Sequence, residues 1–299
     1  MLNVNHVTKY YDKVKAVDDL SFTVNDGEIF GLLGVNGAGK TTTFRMIIGL
    51  LETTSGSVTL DGSPIDYNVT NKIGFLTEER SLLTKLTVKE QIIYYGRLKG
   101  LSEETILTRL DYWLERFHIT DYKDRKIKEL SKGNQQKVQF ISAVINEPKL
   151  LILDEPFTGL DPINVEMFMD AIKDFKEKGS SIIFSSHRME HVELFCEKLV
   201  ILVKGKSVLE GNLNQIKKDF RKKTIQVVGD IDCDALKKIE GVLNVEQNSL
   251  ETLVKIADES VVDKVFKVVK NGENITKFNV LDASLNEIFL SKVGESYEG

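Results

Sequence analysis

This chain is poor in cysteine, in long apolar runs and in surplus positive charge. Its two cysteines, Cys196 and Cys233, lie far apart among 299 residues and form no CxxC pair. This pattern argues against a zinc site or a disulfide framework and is typical of thiols in a reducing cytosol. No apolar run approaches about 18 residues, and no basic N-terminal segment precedes an apolar one. We therefore expect no signal peptide and no membrane span, so any membrane role requires a partner.

The charge balance bears on the partners. The formal net charge is −5, whereas nucleic-acid-binding proteins usually carry a strong basic bias, so we expect no nucleic-acid partner. With 41% hydrophobic and 28% charged residues, the composition is that of an ordinary globular protein with a sizeable core. The length suits one large domain and one small one.

Short apolar strands alternate with helical patterns through the first two thirds of the chain. Residues 28–33 and 149–153 are continuous apolar runs, and apolar positions at helical spacing follow each of them. Such alternation predicts a parallel sheet covered by helices on both faces. From Thr87 to about Gly133 the spacing is helical throughout, which predicts a helical insert over residues 85–133. We expect a first domain over residues 1–215.

The remainder, residues 216–299, has its own order of elements. The basic stretch 217–223 is interpreted as a solvated linker. The patterns that follow predict strand, helix, two strands, helix and strand, which is the ferredoxin-like order, and then a last helix. Asp230, Asp232 and Asp234 alternate, but their neighbours do not resemble a calcium loop, so we interpret them as turn and helix-cap residues. No catalytic group is expected in this small accessory domain.

A glycine-rich loop carries the most specific signal. Residues 34–41 match G-x-x-x-x-G-K-[ST] between a predicted strand and a predicted helix, which is the context this motif requires. Its glycines let backbone N–H groups approach phosphate oxygens, and Lys40 and the Thr41 hydroxyl suit the β/γ-phosphates and Mg²⁺. The predicted nucleotide-binding residues of the loop are Gly34, Val35, Asn36, Gly37, Ala38, Gly39, Lys40, Thr41 and Thr42. Alone, the loop does not separate an ATPase from a GTPase or a small-molecule kinase.

Two carboxylates follow the second apolar strand. Asp154 and Glu155 come directly after residues 150–153, at the strand end where parallel sheets bind ligands. We expect Asp154 to hold hydrated Mg²⁺ and Glu155 to act as the general base on the attacking water. The competing interpretation is a surface turn after a core strand.

The segment Leu130-Ser-Lys-Gly-Asn-Gln-Gln-Lys137 lies between the loop and the carboxylates. Ser131 before a helical stretch is a natural N-cap. The segment also resembles the L-S-G-G-Q signature of the ATP-binding subunits of ABC transporters, with Lys132 and Asn134 as departures. In that family the signature contacts the γ-phosphate bound to a second subunit, and Ser131 and Gly133 retain the residues for this contact.

Further motifs carry the same resemblance over residues 1–210. Tyr11 matches the aromatic that stacks on adenine, with Tyr10 as a rival, and 158–161 resembles the loop that links the two sites of a dimer. His187 matches the switch histidine at the γ-phosphate. The family usually has Gln where this chain has Glu78, and we hypothesise that Glu78 keeps the Mg²⁺ role, although its charge could slow turnover.

The resemblance implies both fold and function. The expected fold is α/β: a P-loop NTPase core with a mostly parallel sheet, an antiparallel β subdomain, the helical insert and the ferredoxin-like C-terminal domain. The implied function is Mg²⁺-dependent ATP binding and hydrolysis, with ATP sandwiched in a homodimer or heterodimer of ATPase subunits. This powers transport by a polytopic permease from the cytoplasmic face of the cell membrane, as a peripheral subunit. Three segments, residues 77–80, 130–136 and 283–290, are together similar to the ATPase subunits of bacterial ABC-2 type exporters, including the sodium-extrusion and drug-resistance branch.

The permease contact and an alternative function complete the predictions. In the family a short permease helix enters a groove near residues 78–90, where Leu82, Leu83 and Leu86 are apolar anchors or, equally, insert core. The alternative function is a soluble ABC-type ATPase acting on a ribosome or DNA complex. Translation types usually carry two ATPase halves and repair types a long coiled coil, and this chain has neither pattern.

Overall fold

The computed structural model describes residues 1–79 and 81–298. Arg80, which belongs to the expected permease surface, lies outside the described residues. The chain divides into two compact units, Met1–Glu210 and Gly211–Gly299, here called the N-terminal and C-terminal units. No helix of the described part of the chain is both long and apolar enough to cross a bilayer.

The elements follow in chain order. The strands of the N-terminal unit are β1 (Leu2–Tyr11), β2 (Val14–Val24), β3 (Ile29–Gly34), β4 (Ser55–Leu60), β5 (Ser63–Pro64), β6 (Ile73–Leu76), β7 (Leu150–Asp154), β8 (Ser181–Ser185), β9 (Lys198–Val203) and β10 (Lys206–Asn212). Its helices are α1 (Lys40–Ile47), α2 (Tyr67–Thr70), α3 (Val88–Leu98), α4 (Glu103–Arg116), α5 (Lys132–Val144), α6 (Pro162–Glu177) and α7 (Met189–Phe195).

The main sheet has the order β10-β9-β3-β8-β7-β6, and every pairing from β9 to β6 is parallel. All residues of β7 and β8 are buried, which is why these strands are continuously apolar in sequence rather than alternating. The expected mostly parallel core is therefore confirmed.

A second sheet, ordered β2-β1-β4-β5, is antiparallel throughout. Its inward side chains and those of the main sheet form one core with α1, in which Phe22 stacks on Phe30 at 4.9 Å between ring centroids. Burial of aromatic rings in such a core removes large apolar areas from water. This sheet is the expected antiparallel subdomain.

The helical insert contains α3 and α4. Thr87 forms a capping box with Glu90 at the start of α3, and Ser102 caps α4. Leu98, expected on the buried stripe, is exposed. The side chains of Trp113 and Phe117 instead join the insert to the core through Phe140 and Phe168.

The C-terminal unit contains α8 (Leu213–Asp219), β11 (Lys223–Asp230), α9 (Cys233–Lys237), β12 (Val242–Gln247), β13 (Thr252–Ile256), α10 (Val262–Val269), β14 (Glu273–Asp282) and α11 (Leu285–Glu298). Its sheet is antiparallel in the order β12-β13-β11-β14, and the ferredoxin-like prediction is confirmed. The interpretation of 217–223 as a solvated linker was wrong. Residues up to 219 are helical, and Lys223 is buried, where its ammonium pairs with Asp282.

Phe168→Ala should lower the free energy of unfolding by about 3–5 kcal/mol, because Phe168 is fully buried between Phe117 and Phe140 and its removal leaves a cavity. Urea denaturation followed by tryptophan fluorescence measures the loss, since Trp113 is the single tryptophan. The matched control is Phe266→Ala at an exposed ring, which should cost much less. Equal losses would show that this aromatic cluster does not hold the insert.

Candidate functional site

The carboxyl ends of four parallel strands bring the predicted residues to one edge of the main sheet. β3 ends at Gly34, β6 precedes Thr77, β7 ends at Asp154 and β8 ends at Ser185. Because β3, β8, β7 and β6 are consecutive neighbours, the segments that leave them lie side by side. This edge is where open parallel sheets bind ligands.

Close packing requires glycine at two positions of the phosphate loop. A Cβ on Gly34 would meet the Leu202 carbonyl oxygen at 2.5 Å, and one on Gly39 would meet that of Ala16 at 2.6 Å. Gly39 also has φ +107°, a conformation that residues with a Cβ rarely adopt. The loop is therefore held against β2 and β9 while its other face stays open, since a Cβ on Gly37 would touch nothing within 4 Å.

Lys40 lies inside the loop. Its ammonium donates to the carbonyl oxygen of Gly34 at 2.6 Å and to that of Val35 at 3.3 Å. Burial lowers the pKa of Lys40, and the negative charges of Asp154, Glu155 and Glu78 oppose that shift. The three carboxylates are thus close enough to act on the Lys40 charge. A phosphate group would give this ammonium stronger, charged acceptors than the two carbonyls.

The start of α1 supplies the other phosphate contacts. The N–H groups of Lys40, Thr41 and Thr42 are in the first helical turn, where they have no partner within the helix. Thr41 is exposed. The Thr43 hydroxyl donates to the Gly39 carbonyl oxygen at 2.9 Å and thereby ties the helix to the loop, a role that the motif did not reveal.

Asp154 is buried at the end of β7. Burial raises its pKa to about 6, the charges of Glu78 and Glu155 add to the shift, and Lys40 opposes it. A buried carboxylate surrounded by other carboxylates calls for a cation to offset the negative charge.

Glu155 is joined to His187 directly. Glu155 has φ +52°, a strained conformation that turns its side chain away from the strand direction. One carboxylate oxygen accepts the His187 backbone N–H at 2.7 Å, and the other lies 2.9 Å from His187 Nδ1 and accepts the Ser186 hydroxyl at 3.3 Å. Ser186 was not predicted, and its only sequence signal is its place before His187.

Glu78 follows β6 and is exposed, and its charge acts on both Asp154 and Lys40. The segment that carries it is held by Gln139 of α5, whose side-chain amide donates to the Thr77 carbonyl oxygen at 2.9 Å and the Glu79 carbonyl oxygen at 3.3 Å. Gln139 was also not predicted. A polar residue in the buried face of α5 is the signal that could have found it.

Two groups of predicted site residues, the tyrosines of β1 and the residues at the start of α5, are not on the strands that form this sheet edge. Tyr10 and Tyr11, at the end of β1, are 41% and 43% exposed, so both rings present free surface, and neither is distinguished as the adenine contact. Ser131 caps α5 and accepts the Asn134 N–H at 3.3 Å, and Gly133 lies near Gly159 and Leu160. Across residues 1–79 and 81–298, no hydrogen bond joins Ser131 or Gly133 to the phosphate loop.

The residues at the sheet edge fit Mg²⁺ bound together with phosphate. The donor set comprises one hydroxyl, Thr41, and the carboxylates of Asp154 and Glu78, which are the hard oxygen ligands that Mg²⁺ prefers. Within the described part of the chain no cluster of three or more acidic, His or Cys side chains could hold a metal by itself.

Comparisons with known proteins agree with this geometry. A family model described as ABC transporter matches residues 17–158, and one described as the C-terminal domain of DrrA1-3-like ATP-binding proteins matches residues 211–293. The chain is 50% identical over 298 residues, 100% of both chains, to the uncharacterized ABC transporter ATP-binding protein YhaQ of Bacillus subtilis (strain 168). It is 38% identical to the ABC transporter ATP-binding protein NatA of the same organism, over 74% of this chain and 92% of NatA. A solved dimeric ATP-binding cassette with bound ADP and Pi is similar at TM-score 0.66 and 26% identity, over 71% of this chain and 99% of that one.

Gly39→Ala should weaken binding of a fluorescent ATP analogue at least tenfold, because the new Cβ would overlap the Ala16 carbonyl oxygen and displace the loop. Gly37→Ala is the matched control, since it also has positive φ but meets open space. A fluorescence titration of both variants measures the difference. If Gly37→Ala weakened binding as strongly, backbone conformation rather than close packing would explain the requirement for glycine.

Proposed function

This chain belongs to the family of ABC transporter ATP-binding proteins, and from that premise we propose how its residues bind ATP and which partners they meet. The chain is an ATPase subunit that powers a membrane transporter, and the phosphate loop is where it binds ATP. The observation that carries the residue assignments is the shared sheet edge, where Lys40 faces Asp154, Glu155 and Glu78.

We assign phosphate binding to residues 34–42. Lys40 exchanges the carbonyl oxygens of Gly34 and Val35 for the β- and γ-phosphates, and the N–H groups of the first turn of α1 bind phosphate oxygens. Tyr11, with Tyr10 beside it in sequence, stacks on adenine. Thr41, Asp154 and Glu78 would hold Mg²⁺, which would supply positive charge beside the phosphates.

Glu155 is the general base in this proposal. The His187 N–H and the Ser186 hydroxyl donate hydrogen bonds to its carboxylate. These bonds hold the side chain in one orientation. His187 contacts the γ-phosphate through its exposed ring. Because its Nδ1 also contacts the Glu155 carboxylate, the ring links the general base to the γ-phosphate. The water that Glu155 activates loses its proton to the carboxylate as it attacks.

Two copies of the chain complete each site. Ser131 and Gly133 lie at the start of α5, and among the described residues no hydrogen bond joins them to the phosphate loop of their own chain. The start of a helix favours negative charge, and Ser131, the Gly133 amide and Lys132 there suit a phosphate bound to a second subunit. We propose a homodimer or heterodimer of ATPase subunits that closes on two ATP molecules and reopens after hydrolysis, and the homodimer is the form tested below.

The partner of this dimer is a polytopic membrane permease, and we propose export as the direction of transport, with the chain peripheral on the cytoplasmic face. The direction rests on the resemblance of the sequence motifs to bacterial ABC-2 type exporters. The alternative, a soluble ATPase acting on a ribosome or DNA, is not favoured, because the relative that matches the whole chain at 50% identity is named as an ABC transporter subunit.

A cavity of about 640 Å³ is the proposed permease site. It lies between the end of α1, α2, β6, α3 and α5, and its lining includes Ile48, Leu50, Ile65, Phe75, Tyr95 and Lys99. Leu50 is 75% exposed, and Leu83, on the segment between β6 and α3, is 39% exposed. A short amphipathic helix suits such a groove.

Lys99 adds a charge requirement to this groove. Its ammonium donates only to the carbonyl oxygens of Thr70 and Ile73, at 2.8 and 3.2 Å, and burial lowers its pKa. Among the described residues no carboxylate pairs with it. A permease segment that places a carboxylate there would satisfy the ammonium, so we propose an apolar segment with one acidic side chain.

Glu155→Gln should reduce ATP turnover at least about 100-fold while ATP binding persists, because the amide keeps the shape of the side chain but cannot accept a proton. We expect this variant to run as a dimer in size-exclusion chromatography with ATP and as a monomer without it. Lys40→Met, which loses the phosphate contact, is the control that stays monomeric. Wild-type turnover in Glu155→Gln would exclude Glu155 as the base, and a monomer with ATP would exclude the homodimer.

Leu83→Asp should abolish co-purification with a polytopic membrane protein while leaving the basal ATPase rate within about twofold, because an exposed anchor becomes charged. Mass spectrometry of membrane extracts captured on the tagged chain identifies the permease and measures its loss. Tyr112→Asp, at an exposed aromatic of α4, is the control. If Leu83→Asp instead removed nucleotide binding, Leu83 would belong to the core of the insert.

A further inference from the structure

Gln139 connects the groove to the segment that carries Glu78. Its side chain is only 4% exposed, and its amide nitrogen donates to the Thr77 carbonyl oxygen at 2.9 Å, the Thr77 hydroxyl at 3.2 Å and the Glu79 carbonyl oxygen at 3.3 Å. These acceptors belong to the residues on either side of Glu78. The backbone on both sides of Glu78 is therefore hydrogen-bonded to this side chain.

The other end of the Gln139 amide is unsatisfied. Both backbone partners are acceptors, so the NH₂ group must face them and Oε1 must face away. Oε1 is buried and has no hydrogen-bond partner among the described residues. A buried acceptor without a partner is rare in native proteins and calls for an explanation. The same side chain lines the groove beside Lys99 and Ser142, so a segment that fills the groove contacts it.

A second set of hydrogen bonds, here called the second tether, joins α5 to the segment after β6 and can be compared with the bonds of Gln139. The Gln91 side chain accepts the Leu83 N–H at 2.7 Å and donates to the Ser142 hydroxyl at 3.0 Å. Ser142 lies one helical turn after Gln139 and also lines the groove. This tether ends at Leu83, five residues beyond Glu78, so α5 holds the segment after β6 at two separate places.

We propose that Gln139 is a positioning residue for ATP hydrolysis, which places Glu78 at Mg²⁺·ATP and transmits the presence of a permease segment in the groove to Glu78. The inference rests on the proposed function, in which Glu78 contacts Mg²⁺ and the groove receives the permease. A donor from that segment satisfies Oε1, the side chain shifts, and the bonds to Thr77 and Glu79 move Glu78. Residues that orient a metal ligand typically change metal affinity about 10–100-fold when removed.

The first test measures Mg²⁺ binding rather than turnover. In the full-length Glu155→Gln chain saturated with ATP, Gln139→Met should weaken Mg²⁺ binding in calorimetric titration about tenfold or more. Gln139→Asn, which keeps the amide but not its reach, should act in the same direction and provides a second variant if Gln139→Met fails to fold. Ser142→Ala, which cuts only the other tether, should leave Mg²⁺ affinity within about twofold.

A double-mutant cycle separates positioning from general destabilisation. In a Glu78→Ala background, Gln139→Met should weaken Mg²⁺ binding no further, because the group that it positions is gone. An additive loss would overturn the proposal, as would Mg²⁺ affinity unchanged by Gln139→Met. If Glu78→Ala itself left Mg²⁺ affinity unchanged, the assignment of Glu78 under the proposed function would fail as well, and that outcome is distinct.

The second test fills the groove chemically. In a Cys233→Ser, Glu155→Gln chain, whose remaining Cys196 is buried, Leu50→Cys labelled with fluorescein maleimide should change Mg²⁺ affinity at least threefold. The same label should have no effect when Gln139→Met is also present. Lys173→Cys, exposed on α6, is the labelling control. An equal effect of the label with and without Gln139 would show that the groove reaches the site by another route.

Discussion

Parallel pairing of β9, β3, β8, β7 and β6 is the constraint on which the site depends. Strands that run in the same direction end at the same edge, so the segments that leave β3, β7, β8 and β6 meet although they are far apart in sequence. The phosphate loop, the pair Asp154 and Glu155, His187 and Glu78 are those segments. Each lies directly after a buried apolar strand, because the hydrogen-bonded strands hold the backbone rigid up to the last residue and leave the next one free to turn.

The charged protein groups at this edge carry an excess of negative charge. One ammonium, that of Lys40, faces three carboxylates, and burial together with the neighbouring charges raises the pKa of Asp154 to about 6. In the proposed function, bound Mg²⁺ would offset the carboxylates and the phosphates of ATP would offset Lys40. The replacement of the family's usual Gln by Glu78 makes the excess of negative charge larger. It also makes the placement of Glu78 by Gln139 more consequential, since a misplaced charge acts over a longer range than a misplaced amide.

Sequence patterns predicted the parts of this protein that depend on neighbouring residues. The phosphate loop follows from a contiguous motif between a strand and a helix, and the ferredoxin-like order follows from local alternation of apolar residues. Predictions failed where long-range packing decided the outcome. Lys223 belongs to a basic stretch that is typical of a linker, yet its side chain is buried and Asp282, 59 residues later, pairs with its ammonium. Leu98 falls at helical spacing with other apolar residues of α3 but is exposed, whereas Val88 and Ile92 of the same helix are buried.

The sequence by itself therefore determined the nucleotide and the family, since these are written in short motifs whose chemistry is local, and it predicted the site residues. Only the tertiary structure decided how those residues act on one another. Three sets of contacts join residues 31 to 62 positions apart. They are the contact between Glu155 and His187, the hydrogen bond from the Ser186 hydroxyl to Glu155, and the bonds from Gln139 in the groove to Thr77 and Glu79. Such contacts depend on which strands are neighbours and on which face α5 buries, and no local pattern specifies either. For the phosphate loop, the structure added the reason for its glycines at 34 and 39, which is the close approach of the backbone of β9 and β2.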